Sequence, residues 1–258
     1  MIDAHCHLQK FENPGEVISG LEAVICCGAD LESSKKAIEI SDKFPNVWAT
    51  VGIHPEENFK STSSRFASKI LRSKEILKSK LLKLLRQPRV VAVGECGLDF
   101  LPETREEEKS AQRELFKFNI ALAKEIKLPL VVHCRNAFED VFSILNAQDS
   151  MLKVQMHCFT GNMEQMLECV RRGLYISFGG ILTFKSSQEL REVARLVPED
   201  KLLIETDSPY LAPEPIRGTR NEPKNVKIVA EVLAKTRGVD FNAIDQLTSQ
   251  NARKFFNL

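Results

Sequence analysis

The chain of 258 residues contains no apolar stretch approaching the ~20 residues of a membrane helix, and its net charge is only +1. The first absence excludes a spanning helix, and the second excludes a strongly electropositive body. None of the seven cysteines (Cys6, Cys26, Cys27, Cys96, Cys134, Cys158 and Cys169) forms a C-x-x-C pair, which removes a zinc knuckle. Several fall in apolar, strand-like runs and read as small buried thiols. No low-complexity segment is present, nor any repeat of roughly 20 to 50 residues beyond a βα unit. The opening MIDAHCHL reads as a strand from its second residue. It lacks the basic and apolar regions of a signal peptide, so the expected location is the cytoplasm.

What is present is ordinary in composition and regular in order. Hydrophobic residues make up 43% and charged residues 28%, as in a globular protein. Short runs rich in β-branched residues occur near residues 2 to 7, 23 to 27, 47 to 53, 90 to 95, 129 to 133, 153 to 157, 174 to 178 and 202 to 206. Helical patterns fill most gaps, among them KKAIEISDKF, Glu106 to Lys127, AFEDVFSILNA, MEQMLECVRRG, SQELREVARLV and VKIVAEVLAKTRG. Eight strands alternating with helices predict an α/β protein, a (β/α)8 TIM barrel formed by residues 1–258 as a single domain, about the length that fold uses.

The five histidines are not scattered. With a period of two, Asp3, His5 and His7 share one face of the first strand, while Ile2, Ala4, Cys6 and Leu8 take the other. Glu95 follows VVAV, His133 follows PLVV, His157 follows KVQM and Asp207 follows LLIET. In a barrel, C-terminal strand ends meet at one mouth, so these residues converge there. Imidazole and carboxylate ligands suit Zn, Mn, Fe, Co or Ni, and a central Glu95 can bridge two cations roughly 3.5 to 4 Å apart. Asp207 is placed to hold an activated water and take its proton, with Glu205 two residues earlier as a supporting anchor. Cys6, Cys96, Cys134 and Cys158 neighbour these residues, but adjacent strand positions point to opposite faces.

One region breaks the even charge. Between Lys60 and Arg89 there are ten Lys or Arg against one acidic residue, Glu75. Ile70, Leu71, Ile76, Leu77, Leu81, Leu82, Leu84 and Leu85 give the same segment amphipathic helical spacing. It reads as a solvated basic face, with a phosphate-facing rim as the alternative.

D-x-H-x-H at Asp3 to His7, V-G-I-H-P at Val51 to Pro55, G-E-C-G-L-D at Gly94 to Asp99, H-C-R at His133 to Arg135, and H-C-F-T-G at His157 to Gly161 stand in this order. E-T-D-S-P-Y-L-A-P at Glu205 to Pro213 and R-N-E-P at Arg220 to Pro223 complete the set. Together they resemble the TatD-type deoxyribonucleases of the amidohydrolase-like metal-dependent hydrolase superfamily, over essentially the whole chain. The resemblance implies a nuclease on a TIM barrel, with two divalent metal ions (Mg, Mn or Zn) held by His5, His7, Glu95, His133, His157 and Asp207. It further implies that His54 contacts the scissile phosphate.

The expected activity is cleavage of phosphodiester bonds in DNA, single-stranded or at ends, by a metal-activated water held by Asp207. His54, Arg135 and Arg220 bind substrate phosphates in this reading. No membrane and no obligate protein partner are expected. The alternative is an amidohydrolase-like enzyme acting on another ester or amide, such as an aminoacyl-tRNA. Many enzymes of that class bridge their metals with a modified lysine where this chain offers Glu95. A scaffold that only binds nucleic acid through the basic segment would not need the full ligand set.

Overall fold

The structure, a computed structural model, describes residues 1–58, 67–146 and 152–258. The strands are β1 (Ile2–Cys6), β2 (Ala23–Cys27), β3 (Val47–Val51), β4 (Val90–Asp99), β5 (Leu130–Arg135), β6 (Val154–Met156), β7 (Tyr175–Phe178) and β8 (Leu202–Ile204). The helices are α1 (Pro14–Val17), α2 (Leu31–Lys43), α3 (Ala67–Leu85), α4 (Glu106–Ile126), α5 (Phe138–Asn146), α6 (Met163–Arg171), α7 (Gln188–Leu196), α8 (Val226–Arg237) and α9 (Phe241–Phe256). All seven ladders are parallel and join the strands in sequence order, so the expected (β/α)8 barrel is what forms. Among the described residues no helix is long and apolar enough to cross a membrane.

Helix starts follow local chemistry. Asp30 accepts the Ser33 N–H at 2.6 Å to begin α2, and Asn162 accepts that of Gln165 at 2.9 Å to begin α6. Three glutamates, Glu106 to Glu108, occupy the positive end of α4. The apolar faces of the helices and the outward residues of the strands make the larger core. A second core combines Ile25, Cys27, Val131, Tyr175 and Leu203 of the strands with Ala252, Phe255 and Phe256 of α9. The end of α9 lies across the N-terminal mouth, since Lys153 donates to the Lys254 carbonyl at 2.8 Å and Arg253 donates to Glu22 at 2.7 Å. Polar side chains are thereby left to the opposite, C-terminal mouth.

Two expectations need correction. The apolar residues of the first strand do not form one face: Ile2 and Ala4 join the inner core, while Cys6 and Leu8 join the outer one. The cause is a register shift between Asp3 and Cys6, which puts one extra residue opposite β2. The fourth strand does not end at Glu95. It runs on to Asp99, with a second register shift between Val93 and Cys96 that turns Glu95 toward the mouth. This path needs glycine, since Gly97 has φ +135° and a Cβ there would lie 2.0 Å from the His133 carbonyl oxygen. Of the basic segment, residues 60–66 and the side chains of 67–74 lie outside the described residues, as does the end of AFEDVFSILNA at residue 147. Where described, Leu81 and Leu85 are buried, Ile76 is exposed, and Lys78 pairs with Glu125 at 2.9 Å. Arg89 is occupied by the carbonyls of Phe44 and Pro45, at 3.2 and 2.7 Å, and lies over the Trp48 ring.

β8 and β1 share no ladder, and loop residues close the seam. The Asp207 N–H donates to the His5 carbonyl at 2.9 Å, and the His7 N–H donates to that of Ser208 at 2.7 Å. The buried Asp3 carboxylate accepts from Thr206 twice, from N–H at 2.9 Å and from Oγ1 at 2.6 Å. Backbone donors beyond β8 are thus satisfied by a side chain of β1 where a ladder stops.

Candidate metal centre

Six strand ends deliver polar side chains to one point around the Glu95 carboxylate, and its two oxygens face different sets. Oε2 lies 3.4 Å from His5 Nε2 and 3.6 Å from His7 Nε2. Asp207 Oδ1 completes that group at 3.7 Å from His5 and 3.3 Å from His7. Oε1 lies 3.0 Å from His157 Nε2, 3.2 Å from His133 Nδ1 and 3.4 Å from His54 Nε2. Every residue expected at a ligand position is therefore present in one cluster, and the clusters His5, His7, Glu95 and His54, Glu95, His133 have spacing able to hold an ion.

Ring tautomers separate His54 from His7, His133 and His157. His7 Nδ1–H donates to the Cys27 carbonyl at 3.0 Å, leaving the Nε2 lone pair toward the centre. His157 Nδ1–H donates to Glu205 at 3.1 Å, again freeing Nε2. His133 is reversed: Nε2–H donates to Asp99 at 2.9 Å and Nδ1 faces inward. His5 is fully buried with neither ring nitrogen bonded. Such an orphaned polar group is unfavourable unless a cation meets it, so the donor set fits a metal. His54 Nδ1 accepts the Glu56 N–H at 3.2 Å, which puts its proton on the inward Nε2 and makes it a donor where the others offer lone pairs. Its proximity to Glu95 and His133 would allow ligation, but its hydrogen bond argues for a different task.

The supporting residues are as ordered as the rings. Glu205 accepts from His157, from the Cys158 N–H at 2.8 Å and from Gln155 Nε2 at 3.1 Å, so it orients His157 from behind. Asp99 does the same for His133 and lies 3.7 Å from Arg135. Asp207 sits at φ +56°, a left-handed conformation that Asp adopts more readily than most residues.

Burial opposes every charge here, yet neighbours decide the outcome. It pushes the Glu95 carboxyl up, but the neighbouring His157 and His54 imidazoles and the His133 and His157 hydrogen bonds hold it well below the usual carboxylate range. Asp207 is likewise lowered against burial, chiefly by its hydrogen bond with His7. Burial works to lower His7, His133 and His157, yet all three are raised: His7 by Asp207 and Glu95, His133 by Asp99 and Glu95, His157 by Glu95 and Glu205. His5 alone is lowered, by burial and then by His157. The thiols take no part. Cys6 and Cys96 turn to the Ile25 and Val131 carbonyls, each at 3.5 Å, and burial raises both well above the ordinary thiol range.

Two expected phosphate contacts lie farther out. Arg135 is exposed and reaches Asp99. Arg220 donates to the Lys10 carbonyl and lies 4.6 Å above the Phe11 ring. Asp99 and Tyr210 also stand inside the motifs GECGLD and ETDSPYLAP, where residue type alone marks no task. Asp99 is four residues beyond Glu95, a spacing that marks it once β4 is known to continue.

A parallel barrel whose C-terminal mouth gathers imidazoles on both oxygens of one carboxylate defines the metal-dependent hydrolase class. The sequence profile of the TatD related DNase family matches residues 2–257, and the chain belongs to that family. It is 35% identical to the metal-dependent hydrolase YabD of Bacillus subtilis, covering 100% of this chain and 99% of that protein. It is 34% identical to the 3′-5′ ssDNA/RNA exonuclease TatD of Salmonella typhimurium, covering 93% of this chain and 89% of the relative. Among solved structures, YjjV, a TatD homolog from Escherichia coli, superposes with a TM-score of 0.88 at 25% identity, covering 100% of this chain and 98% of that one.

Proposed function

We propose that this chain is a divalent-metal-dependent exonuclease that releases nucleotides from the 3′ end of single-stranded DNA. The observation that carries the reading is the division of Glu95, with Oε2 toward His5 and His7 and Oε1 toward His133 and His157. In this reading two ions would be bound, one by His5, His7, Glu95 and Asp207 and the other by Glu95, His133 and His157. When bound, the cations (Mg, Mn or Zn) supply the Lewis acidity that polarises a phosphoryl oxygen and lowers the pKa of water.

The remaining work falls to side chains. Asp207 holds the attacking water and accepts its proton, a task suited to a strand-end carboxylate beside His5 and His7. The proton on His54 Nε2 is donated to a non-bridging oxygen of the scissile phosphate. Arg135 and Arg220 neutralise neighbouring phosphates at the rim. A net charge of +1 suits grip on a short single strand better than grip on duplex. Seven free thiols suit a reducing cytoplasm as the place of action.

The test is nucleotide release from 3′-labelled and 5′-labelled single-stranded DNA by metal-stripped protein, with Mg²⁺, Mn²⁺ or Zn²⁺ restored and Glu95→Ala as control. Metal-restored release from the 3′ end, abolished in the control, is the expected result. Metal binding without release from either substrate would discard the nuclease reading in favour of another ester or amide hydrolase.

A further inference from the structure

Among the described residues, the large hydrophobic side chains left exposed are Ile76, Leu167, Leu196, Val239 and Tyr210. Tyr210 is the aromatic one, 51% exposed, and the one that stands at the metal centre. Its ring meets His7 edge-on, with centroids 5.8 Å apart and planes at 69°. The backbone beneath it is tightly held. The Tyr210 N–H donates to the Asp207 carbonyl at 3.0 Å, and the buried Asn221 side chain donates to the Tyr210 carbonyl at 2.8 Å. The turn that carries Asp207 therefore carries Tyr210 as well. Arg220, next to Asn221, has its guanidinium over the Phe11 ring.

We infer that Tyr210 is a stacking platform for an unpaired nucleobase at the reacting end of the strand. The inference rests on the nuclease reading above and names the contact by which that site binds its substrate. An aromatic ring half in water, on a tightly held backbone beside a hydrolytic centre, has unfavourable exposure that a flat apolar partner removes. A nucleobase is such a partner, and because every base has a π face, stacking positions the strand without reading its sequence. A base resting on Tyr210 and a phosphate over Glu95 and His54 would be parts of one short substrate segment. Unstacked ends would be accepted, while a base locked in a duplex would not.

The experiment uses the full chain, stripped of metal, with an oligothymidylate carrying 5-iodouracil at its 3′ end. Irradiation is expected to join the base to Tyr210, as mapped by peptide mass spectrometry, with the adduct lost in Tyr210→Ala. With metal restored, Tyr210→Ala should raise KM for nucleotide release by roughly tenfold or more and lower kcat by less, whereas Tyr210→Phe, which keeps the ring, should retain both the binding and the rate. An abasic 3′-terminal residue should weaken binding to the wild type and make little further difference to Tyr210→Ala. An adduct mapped elsewhere, or an unchanged KM in Tyr210→Ala, overturns the inference. So does an equal loss on intact and abasic strands, which would make the ring a prop for His7. Failure of the nuclease reading shows separately, as absence of release by the wild type with any metal, while the cross-link still reports on the platform.

Discussion

The two sides of the metal centre are built differently. On one side, β4 and β5 run together in register from Gly97 and His133 to Asp99 and Arg135, and a carboxylate behind each ring fixes its orientation, Asp99 for His133 and Glu205 for His157. On the other, at the seam of β8 and β1, no ladder is available. His5 and Asp207 are joined by a backbone hydrogen bond, and the buried Asp3 holds the loop by Thr206 rather than touching a ring. The laddered side positions rings through the groups behind them, whereas the seam positions them through the main chain. Glu95 belongs to both sides and couples them, as does the His5 ring stacked on His157 with centroids 4.0 Å apart.

That coupling predicts the largest effect. Glu95→Gln keeps the volume but removes the shared charge, and loss of several kcal/mol of charge stabilisation corresponds to a fall in nucleotide release of about a thousandfold or more. Steady-state assays with saturating metal check it, and a loss under tenfold would mean that the two sides work independently.

The laddered side should respond through metal affinity. Asp99→Asn and Glu205→Gln are each expected to weaken metal binding by about 10 to 100-fold, read by competition with a chelating dye. Asp3→Ala addresses the seam and should register mainly as stability. It strands the buried Thr206 donors, for an expected loss of about 1 to 3 kcal/mol in denaturant unfolding. If Asp3→Ala instead left stability intact and abolished metal binding, the contrast between the sides would be wrong.

The gentlest probe is pH. In the metal-free protein, acidic neighbours raise His7, His133 and His157, whereas burial and His157 lower His5. Groups raised in this way hold protons that a cation must displace, so affinity should climb with pH through and beyond the ordinary histidine range. Both imidazoles of the laddered side carry such protons, against one at the seam. Metal retention measured during acidification should therefore show the His133 and His157 position emptying first.

The lesson of the comparison extends to what could be read without coordinates. His5, His7, His133 and His157 were legible because each stands at the end of an apolar run, and an imidazole there has no bland use. Asp99 was not, because the register shift and Gly97 that prolong β4 are visible only when β5 lies alongside. Helix α9 escaped notice since its buried face includes Thr248, Ser249 and Asn251, which blur the apolar stripe. Asn251 is buried to donate to the Glu199 and Leu202 carbonyls, at 2.6 and 2.9 Å, a need set by the barrel floor.

By itself the sequence determined the alternation of strand and helix, and with it the class of barrel. It also determined that imidazoles and carboxylates would stand at strand ends sharing one mouth, because strand polarity is a local property. The tertiary structure decided which oxygen of Glu95 faces which ring, which nitrogen each histidine offers and why His54 offers a proton instead. Those choices depend on hydrogen bonds between residues as far apart as His133 and Asp99 or His157 and Glu205. Only closure of the sheet brings such partners within bonding distance.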